Sequence, residues 1–264
     1  MDARSIHLST GPADAEPDNV LHWVSASATD VGKARKLNED ALLEYPQIGL
    51  WAVADGVGGA SAGDWASAFT VQSLGRTAKP ETMASFVTEI SVRLGTINDA
   101  LREQAEAAAR QAIATTVVAL LFFDQRFACA WAGDSRLYLL RQGSLRQVNH
   151  DHSEVQEMVD RGILEPAEAR HHPLGNIVTR AVGAFERLDL EVTEDQLLAD
   201  DVFLLCSDGL TKTAEDAEIA ALLAQPVEQA VGALINLALD RGAPDNVTVV
   251  VVKVLGADSG QRSP

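Results

Sequence analysis

The sequence predicts an α+β fold in which largely antiparallel β-sheets are covered by helices. Strand-like runs follow one another in pairs, as in LYLLRQGSLRQV, where Gln142-Gly143 is typical of a hairpin turn. The two longest helix-like stretches lie together between groups of strands. A doubly wound parallel sheet would alternate strand and helix instead. No repeat or linker interrupts residues 23–255, so we expect a single domain there.

Short runs of apolar and β-branched residues predict the strands. The predicted strands are Val24–Thr29, Ala41–Glu44, Gly49–Ala54, Thr115–Phe122, Phe127–Trp131, Leu137–Arg141, Ser144–Gln147, Val202–Cys206 and Val247–Val254.

Apolar residues at helical spacing predict the helices, most clearly Val231, Leu234, Ile235, Ala238 and Leu239 in the last of them. The predicted helices are Gly63–Ala78, Met83–Gln111, Ser153–Arg161, Ala217–Ala224 and Val227–Arg241.

Three polar segments are expected outside the regular elements. Residues 1–22, rich in Pro, Asp and Ala, predict a flexible N-terminal tail, and 256–264 a C-terminal tail. Residues 150–185 predict an irregular insertion of the kind that forms a mobile flap.

Composition excludes several classes of partner. The net charge is −17 and the pI near 4.6, which argues against nucleic acid or an anionic membrane surface. The N-terminus lacks the pattern of a signal peptide, and the longest uncharged apolar run, Ala112–Phe123, is too short to span a bilayer. Cys129 and Cys206 lie in strand-like runs and are expected to be buried thiols. We therefore expect a cytoplasmic protein, with a monomer as the default.

Acidic residues recur at the ends of predicted strands. WAVADG ends in Asp55, FACAWAGD in Asp134 and VFLLCSD in Asp208, while Asp245 and the pair Glu39-Asp40 directly precede strands. Each of these acids alone is most simply a turn or cap former, and Asp55-Gly56 by itself is typical of a hairpin. Their repetition indicates a bound cation, because carboxylates that converge at a sheet edge must be neutralised.

The residue types indicate which ion and which substrate. Oxygen ligands without clustered His or Cys favour Mg²⁺ or Mn²⁺ over Zn²⁺. A glycine beside a ligand, such as Gly56, lets the backbone approach closely and leaves its carbonyl accessible. Arg35, four residues before Glu39, offers a guanidinium fork for an anionic group.

These residues belong to a series of motifs that resembles the metal-dependent serine/threonine protein phosphatases of type 2C. The resemblance covers roughly Ser25 to Val254, and its motifs occur in the family's order. They are TDVG at 29–32, RKLNED at 35–40, ADGVGG at 54–59, Ala62-Gly63, Ala66-Ser67, Thr115-Thr116, AGDSR at 132–136, DHS at 151–153, TRAVG at 179–183, CSDGL at 206–210 and PDNVTVVV at 244–251.

The resemblance implies a four-layer α-β-β-α sandwich, with two central, mainly antiparallel sheets and a two-metal site at one end. It implies that Asp55 bridges both ions, that the Gly56 carbonyl binds one, and that Asp208 and Asp245 complete the shell of the other. By position in the family motifs, Glu39 and Asp40 are expected to bind the ions through water, and Asn246 to lie beside the site. Arg35 is expected to bind the phosphate. Asp134 is expected to hold a weaker third ion together with Asp208.

The expected reaction is hydrolysis of protein phosphoserine and phosphothreonine by a metal-bridged hydroxide, opposing a Ser/Thr kinase. Many eukaryotic members carry His where this chain has Val57, so the general acid is open. His152 is expected in a structural turn, and His171 and His172 in the flap. Two alternatives stay open: a pseudophosphatase that binds phosphoproteins, and another two-metal hydrolase such as a nuclease. The negative charge weighs against a nuclease.

Overall fold

The computed structural model describes residues 7–10, 21–57, 62–110, 112–169 and 172–256. The strands of these residues are β1 His7–Thr10, β2 His22–Asp30, β3 Asp40–Tyr45, β4 Leu50–Val57, β5 Ala114–Thr115, β6 Val117–Phe123, β7 Arg126–Ala132, β8 Arg136–Arg141, β9 Ser144–Gln147, β10 Glu191–Gln196, β11 Val202–Cys206 and β12 Val247–Leu255. The helices are α1 Gly63–Leu74, α2 Met83–Ala107, α3 Glu154–Asp160, α4 Pro166–Ala169, α5 Asp208–Thr211, α6 Asp216–Leu223 and α7 Val227–Asp240.

The strands form two sheets in which every pairing is antiparallel. One sheet has the order β1-β2-β12-β11-β8-β9, and the other has the order β10-β7-β6-β4-β3 with β5 paired to β4. The antiparallel α+β prediction is confirmed. Because neighbouring strands run in opposite directions, the end of one strand lies beside the start of the next, and this places many loops at one end of both sheets.

The two sheets face each other across an apolar core, and helices cover their outer faces. Trp51, Phe122 and Phe203 are fully buried between the sheets. Residues of α1 and α2 pack on one outer face, and residues of α6 and α7 pack on the other. The result is the four-layer α-β-β-α sandwich that the resemblance implied.

The last strand shows why both faces must be apolar. Val250 and Val252 point into the core between the sheets, whereas Val249 and Val251 point toward α7. Side chains alternate across a strand, so a strand covered on both sides is a continuous apolar run and not an alternating one.

Local signals place several boundaries. Gln142 and Gly143 both have positive φ, 51° and 80°, as the two-residue hairpin between β8 and β9 requires, so this turn is confirmed. Helix α2 begins at a capping box formed by Thr82 and Ser85. It ends at Ala107, before the predicted Gln111.

The prediction of a flexible tail over 1–22 was wrong for His7–Thr10, which form β1 against β2. The strand β10 was also missed, and its residues are mostly exposed. Both strands lie at sheet edges, where hydrogen bonds to one neighbour stabilise the strand without an apolar pattern to reveal it. Residues 1–6, 11–20 and 257–264, on which the tail predictions also fall, lie outside the described part of the chain.

The predicted flap is the least regular part of the domain. Between His150 and Phe185 the described residues contain only α3 and the single turn α4, while His171 lies outside them. Cys129 and Cys206 are buried free thiols, as expected. In the described ranges, no helix is both long enough and apolar enough to cross a membrane.

Candidate metal and phosphate site

Asp55 lies at the end of β4, directly opposite Asp40 at the start of β3. Its backbone is held from the other side by two threonines. The amide of Asp55 donates to Thr116 Oγ1 at 3.1 Å, and its carbonyl accepts from Thr115 Oγ1 at 2.9 Å. The single strand predicted for Thr115–Phe122 is divided at Thr116 into β5 and β6. The strand end is thereby a fixed support for the Asp55 carboxylate.

Asp40 is buried and is held by the opposite sheet. Ser207 Oγ and Thr248 Oγ1 each donate to Asp40 Oδ2 at 2.7 Å. The other oxygen, Oδ1, is buried and has no hydrogen-bond partner among the described residues. Asp40 therefore ties the two sheets together with one oxygen and presents the other to the site.

Asn246 makes the second connection between the sheets. Its Oδ1 accepts from the amide of Glu39 at 2.8 Å, and its Nδ2 donates to the carbonyls of Val31 and Leu37. This buried side chain fixes the loop that carries Glu39 against the start of β12. The position beside the site that the resemblance gave to Asn246 corresponds here to a structural role.

The end of β4, the start of α1 and the loop of Glu39 pack so closely that Gly56 and Gly63 have no space for a side chain. A Cβ on Gly56 would lie 2.2 Å from the carbonyl oxygen of Gly63, and a Cβ on Gly63 would lie 2.6 Å from Glu39 Oε1. The Gly56 amide also donates to the Glu39 carbonyl at 3.0 Å. Glycine at these positions brings the end of β4, the start of α1 and the Glu39 carboxylate into contact.

Asp134 lies between β7 and β8 at the same end of the sheets. It is buried, and its neighbour Ser135 shares a 2.8 Å hydrogen bond with Thr116. Thr116 thus contacts the backbone of Asp55 and the segment of Asp134 together. Gly133, at φ +121°, makes the turn, and its amide donates to His152 Nδ1 at 3.2 Å.

The carboxylates are close enough to influence one another's ionisation. Burial raises the pKa of Asp55 well above its usual range, and the charges of Asp40 and Asp208 raise it further. Burial likewise raises the pKa of Asp40 to about 7 and that of Asp134 to about 8. Without bound cations, a cluster of this kind holds protons at neutral pH that isolated carboxylates would have lost.

Two side-chain cations contact the cluster. Arg35 binds Asp245 with one edge of its guanidinium, Nε to Oδ1 at 2.9 Å and Nη2 to Oδ2 at 3.0 Å. Lys212 Nζ lies 2.5 Å from Asp208 Oδ2 and 3.4 Å from Asp245 Oδ2. The positive charges of Arg35 and Lys212 therefore offset the negative charges of Asp208 and Asp245.

The donor set fits hard divalent cations. Three buried carboxylate oxygens have no hydrogen-bond partner in the described residues: Glu39 Oε1, Asp40 Oδ1 and Asp208 Oδ1. An unpartnered buried carboxylate oxygen is costly unless a cation completes it. In the described ranges, no three Asp, Glu, His or Cys side chains already form a ligand set. Arg35 and Lys212 engage oxygens of Asp208 and Asp245.

The acids singled out from the sequence all lie at this end of the sandwich, on or beside the strand ends. Sequence reasoning included Thr116, Ser207 and Thr248 in motifs but did not assign them the role of holding the acids, and it missed Lys212. That role could not be read locally, since the partners of these hydroxyls are far away in sequence. Lys212 does carry a local signal, because it follows Asp208 at the i,i+4 spacing of a helical ion pair.

Comparisons of the sequence with known proteins agree with this geometry. The family model of protein phosphatase 2C matches residues 32–243. The serine/threonine protein phosphatase PstP of Mycobacterium tuberculosis is 37% identical over 241 residues, which make up 90% of this chain and 46% of PstP. The chain thus spans about half the length of that relative. The protein phosphatase PhpP of Streptococcus pneumoniae is 32% identical over 240 residues, covering 88% of this chain and 97% of PhpP.

Solved structures share the fold over nearly their whole length. PppA, described as a key regulatory component of T6SS in Pseudomonas aeruginosa, has a TM-score of 0.83 at 42% identity, covering 88% of this chain and 98% of PppA. The catalytic domain of PstP, solved in complex with 2 manganese ions, has a TM-score of 0.82 at 35% identity, covering 89% of this chain and 100% of that domain.

Proposed function

This chain belongs to the protein phosphatase 2C family, and on that premise we propose that it hydrolyses phosphoserine and phosphothreonine esters in proteins with two Mn²⁺ or Mg²⁺ ions. One observation carries the proposal: Asp40, Asp55, Asp134, Asp208 and Asp245 converge at one end of the sandwich with the Arg35 guanidinium among them. A phosphoprotein-binding module without catalysis would have little need for the complete set of acids.

The ions would be held by residues from both sheets. Asp55, at the end of β4, would hold the ions together with the Gly56 carbonyl. Asp208 and Asp245 would complete the direct ligands, and Glu39 and Asp40 would act through water. The buried, unpartnered oxygens of Glu39, Asp40 and Asp208 support this assignment.

The bound ions supply Lewis acidity that makes water a nucleophile at neutral pH and offsets the charge of the phosphoryl group. The chain supplies the positioning. Arg35 holds the phosphate with two parallel N–H donors, which orients the phosphorus atom toward the carboxylate cluster. Its side chain is 50% exposed, so a protein substrate can reach it.

Val57 does not protonate the leaving-group oxygen, because a valine side chain has no acidic proton. His152 does not take this role either. Its imidazole is buried, accepts a hydrogen bond from the Gly133 amide and stacks on Trp131 at 5.9 Å between ring centroids. These contacts support the structural role expected from the sequence.

The substrates we infer are phosphoproteins made by a Ser/Thr kinase, since phosphate monoesters of Ser and Thr arise by phosphoryl transfer to their hydroxyls. The likeness to PppA makes a protein of a secretion system the first substrate to test.

Hydrolysis of a phosphothreonine peptide, measured with Mn²⁺ and after chelation, tests the proposal. Asp55→Asn and Asp208→Asn each remove a ligand charge while keeping the shape of the side chain. We expect each to lower kcat by at least about 10²–10³-fold. The exposed Asp99→Asn on α2 is the matched control and should keep full activity. Turnover that survives chelation, or either ligand substitution, would rule out the two-metal site.

A further inference from the structure

The ammonium of Lys212 lies inside the carboxylate cluster and not on its rim. Its Nζ contacts Asp208 Oδ2 at 2.5 Å and Asp245 Oδ2 at 3.4 Å. The Lys212 side chain is only 23% exposed, compared with 50% for Arg35, the other cation that contacts these acids. Lys212 is therefore the more enclosed of the two positive charges.

The local backbone holds Lys212 in this place. Asp208 begins the single turn α5, and Lys212 follows that turn, with its amide donating to the Asp208 carbonyl at 2.8 Å. The turn packs closely on the backbone at Asn246, since a Cβ on Gly209 would lie 1.9 Å from the Asn246 carbonyl oxygen. The i,i+4 spacing on this closely packed turn makes the contact with Asp208 a built feature of the site.

Asp208 uses its two oxygens for different partners. Oδ2 faces the Lys212 ammonium, while Oδ1 is buried and has no hydrogen-bond partner among the described residues. One oxygen is thus left for a metal ion, and the other is already neutralised. A carboxylate in this state can serve one metal ion more readily than two.

Asp134 is buried at the same end of the sheets, close enough for its charge to interact with those of Asp208 and Lys212. A lysine side chain is ordinarily positive at neutral pH, and contact with two carboxylates favours that charged form. The Lys212 ammonium therefore offsets negative charge at the place where Asp134 and Asp208 come together.

We infer that Lys212 is the third cation of this centre, so that the site takes two metal ions and has no place for a third between Asp134 and Asp208. The inference rests on the proposed function, since it presumes a two-metal centre. An ammonium has no lone pair with which to bind a metal, and its charge repels a divalent ion brought to the same carboxylates. Lys212 thus offsets the negative charge of the carboxylates but does not itself bind a metal ion.

The number of Mn²⁺ ions bound at saturation tests this inference, counted by native mass spectrometry and by isothermal titration calorimetry. The wild-type protein and Lys212→Arg, which keeps the charge, should each bind two ions. Lys212→Met keeps the stem and removes the charge, so it should bind a third, weaker ion. Adding Asp134→Asn to Lys212→Met should abolish that third ion.

Lys79→Met is the matched control, because Lys79 is exposed beyond the far end of α1. It should bind two ions. The melting temperature of the metal-free protein is a second readout, and it should fall in Lys212→Met and not in Lys79→Met, because the acids lose their counter-ion.

Three ions in the wild-type protein would overturn the inference, and this count does not depend on the folding of any variant. Two ions in a folded Lys212→Met would overturn it as well. Failure of the wild-type protein to bind any Mn²⁺ would instead contradict the proposed function itself, so the two failures can be distinguished.

Discussion

Arg35 and Asp245, the residues expected to hold the phosphate and a metal ion, bind each other in this protein. Nε and Nη2 of the guanidinium lie 2.9 Å and 3.0 Å from the two oxygens of the carboxylate. The Asp245 hydrogen bond and charge raise the pKa of Arg35, so the guanidinium stays charged. Under the proposed function, a metal ion that binds Asp245 would release the guanidinium for phosphate. Metal binding and phosphate binding would then be coupled through this one ion pair.

Arg35→Gln should change catalysis and metal affinity in opposite directions. Loss of the charged fork should lower kcat/KM for a phosphothreonine peptide by about 10–100-fold, the equivalent of one or two charge-assisted hydrogen bonds. Loss of the competing cation should tighten Mn²⁺ binding, because Asp245 is no longer occupied. Steady-state kinetics and calorimetry measure the two effects separately.

Arg146→Gln is the control for that experiment, since Arg146 makes an exposed ion pair with Asp195 at 2.7 Å. It should leave both quantities unchanged. Weaker Mn²⁺ binding in Arg35→Gln would show that the ion pair supports the site and does not compete with it.

Gly56→Ala should destabilise the protein and inactivate it. The new Cβ would lie 2.2 Å from a backbone oxygen of Gly63, and backbone cannot move aside as a flexible side chain can. We expect a loss of about 1–3 kcal/mol in the free energy of unfolding, as for overpacking in a core. Urea denaturation followed by circular dichroism measures it.

Gly95→Ala provides the opposite case within the same chain. Gly95 lies inside α2 with nothing within 4 Å of its Cβ position, so alanine should stabilise the protein by roughly 0.5–1 kcal/mol and keep activity. Equal effects of the two substitutions would refute the contact between Gly56 and Gly63 as the cause.

Acidification below about pH 6.5 should weaken the fold through His152. Burial lowers the pKa of this imidazole and Arg180 lowers it further, while Glu191 and Asp189 act in the other direction. The folded pKa is below that of the unfolded chain, so the stability that His152 contributes is present above pH about 6.5 and is lost as the pH falls through the folded pKa. Urea denaturation at a series of pH values measures the loss.

His152→Asn should flatten that pH dependence, since an amide oxygen can accept from the Gly133 amide without titrating. The exposed His150→Asn serves as the control and should keep the slope of the wild-type protein. An unchanged slope in His152→Asn would exclude this histidine as the titrating group.

The flap should affect substrate choice more than chemistry. Ile163, between α3 and α4, is 68% exposed. An isolated antiparallel bridge between Ser153 and Val178 pairs two segments within the flap. We expect Ile163→Ser to change the relative kcat/KM of phosphopeptides with different flanking residues. Turnover of p-nitrophenyl phosphate, which is too small to reach the flap, should stay the same.

Val92→Ser, on the outer face of α2, removes a similarly exposed apolar side chain away from the flap and should alter neither activity. If Ile163→Ser changed peptide and aryl phosphate turnover equally, the flap would act on the chemistry and not on recognition.

Parts of the fold with a strong local pattern could be predicted from the sequence. The apolar stripe of α7 and the valine run of β12 placed those elements to within one residue at each end, because burial on one or both faces dictates their periodicity. The edge strands β1 and β10 could not be predicted, because their stability comes from the neighbouring strand and leaves little trace in their own residues.

The sequence by itself determined which residues could form a metal and phosphate site. Acids at the ends of apolar runs, glycines beside them and an arginine upstream specify the chemistry, since each of these signals is local to its own strand. Only the tertiary structure decided which hydrogen-bond and ion-pair partners each of those groups has. Ser207 and Thr248 hold Asp40 across 167 and 208 residues of sequence, and Arg35 binds Asp245 across 210. Such contacts follow from the way the two sheets pack, because the charge of each carboxylate is set by whichever groups the fold places around it.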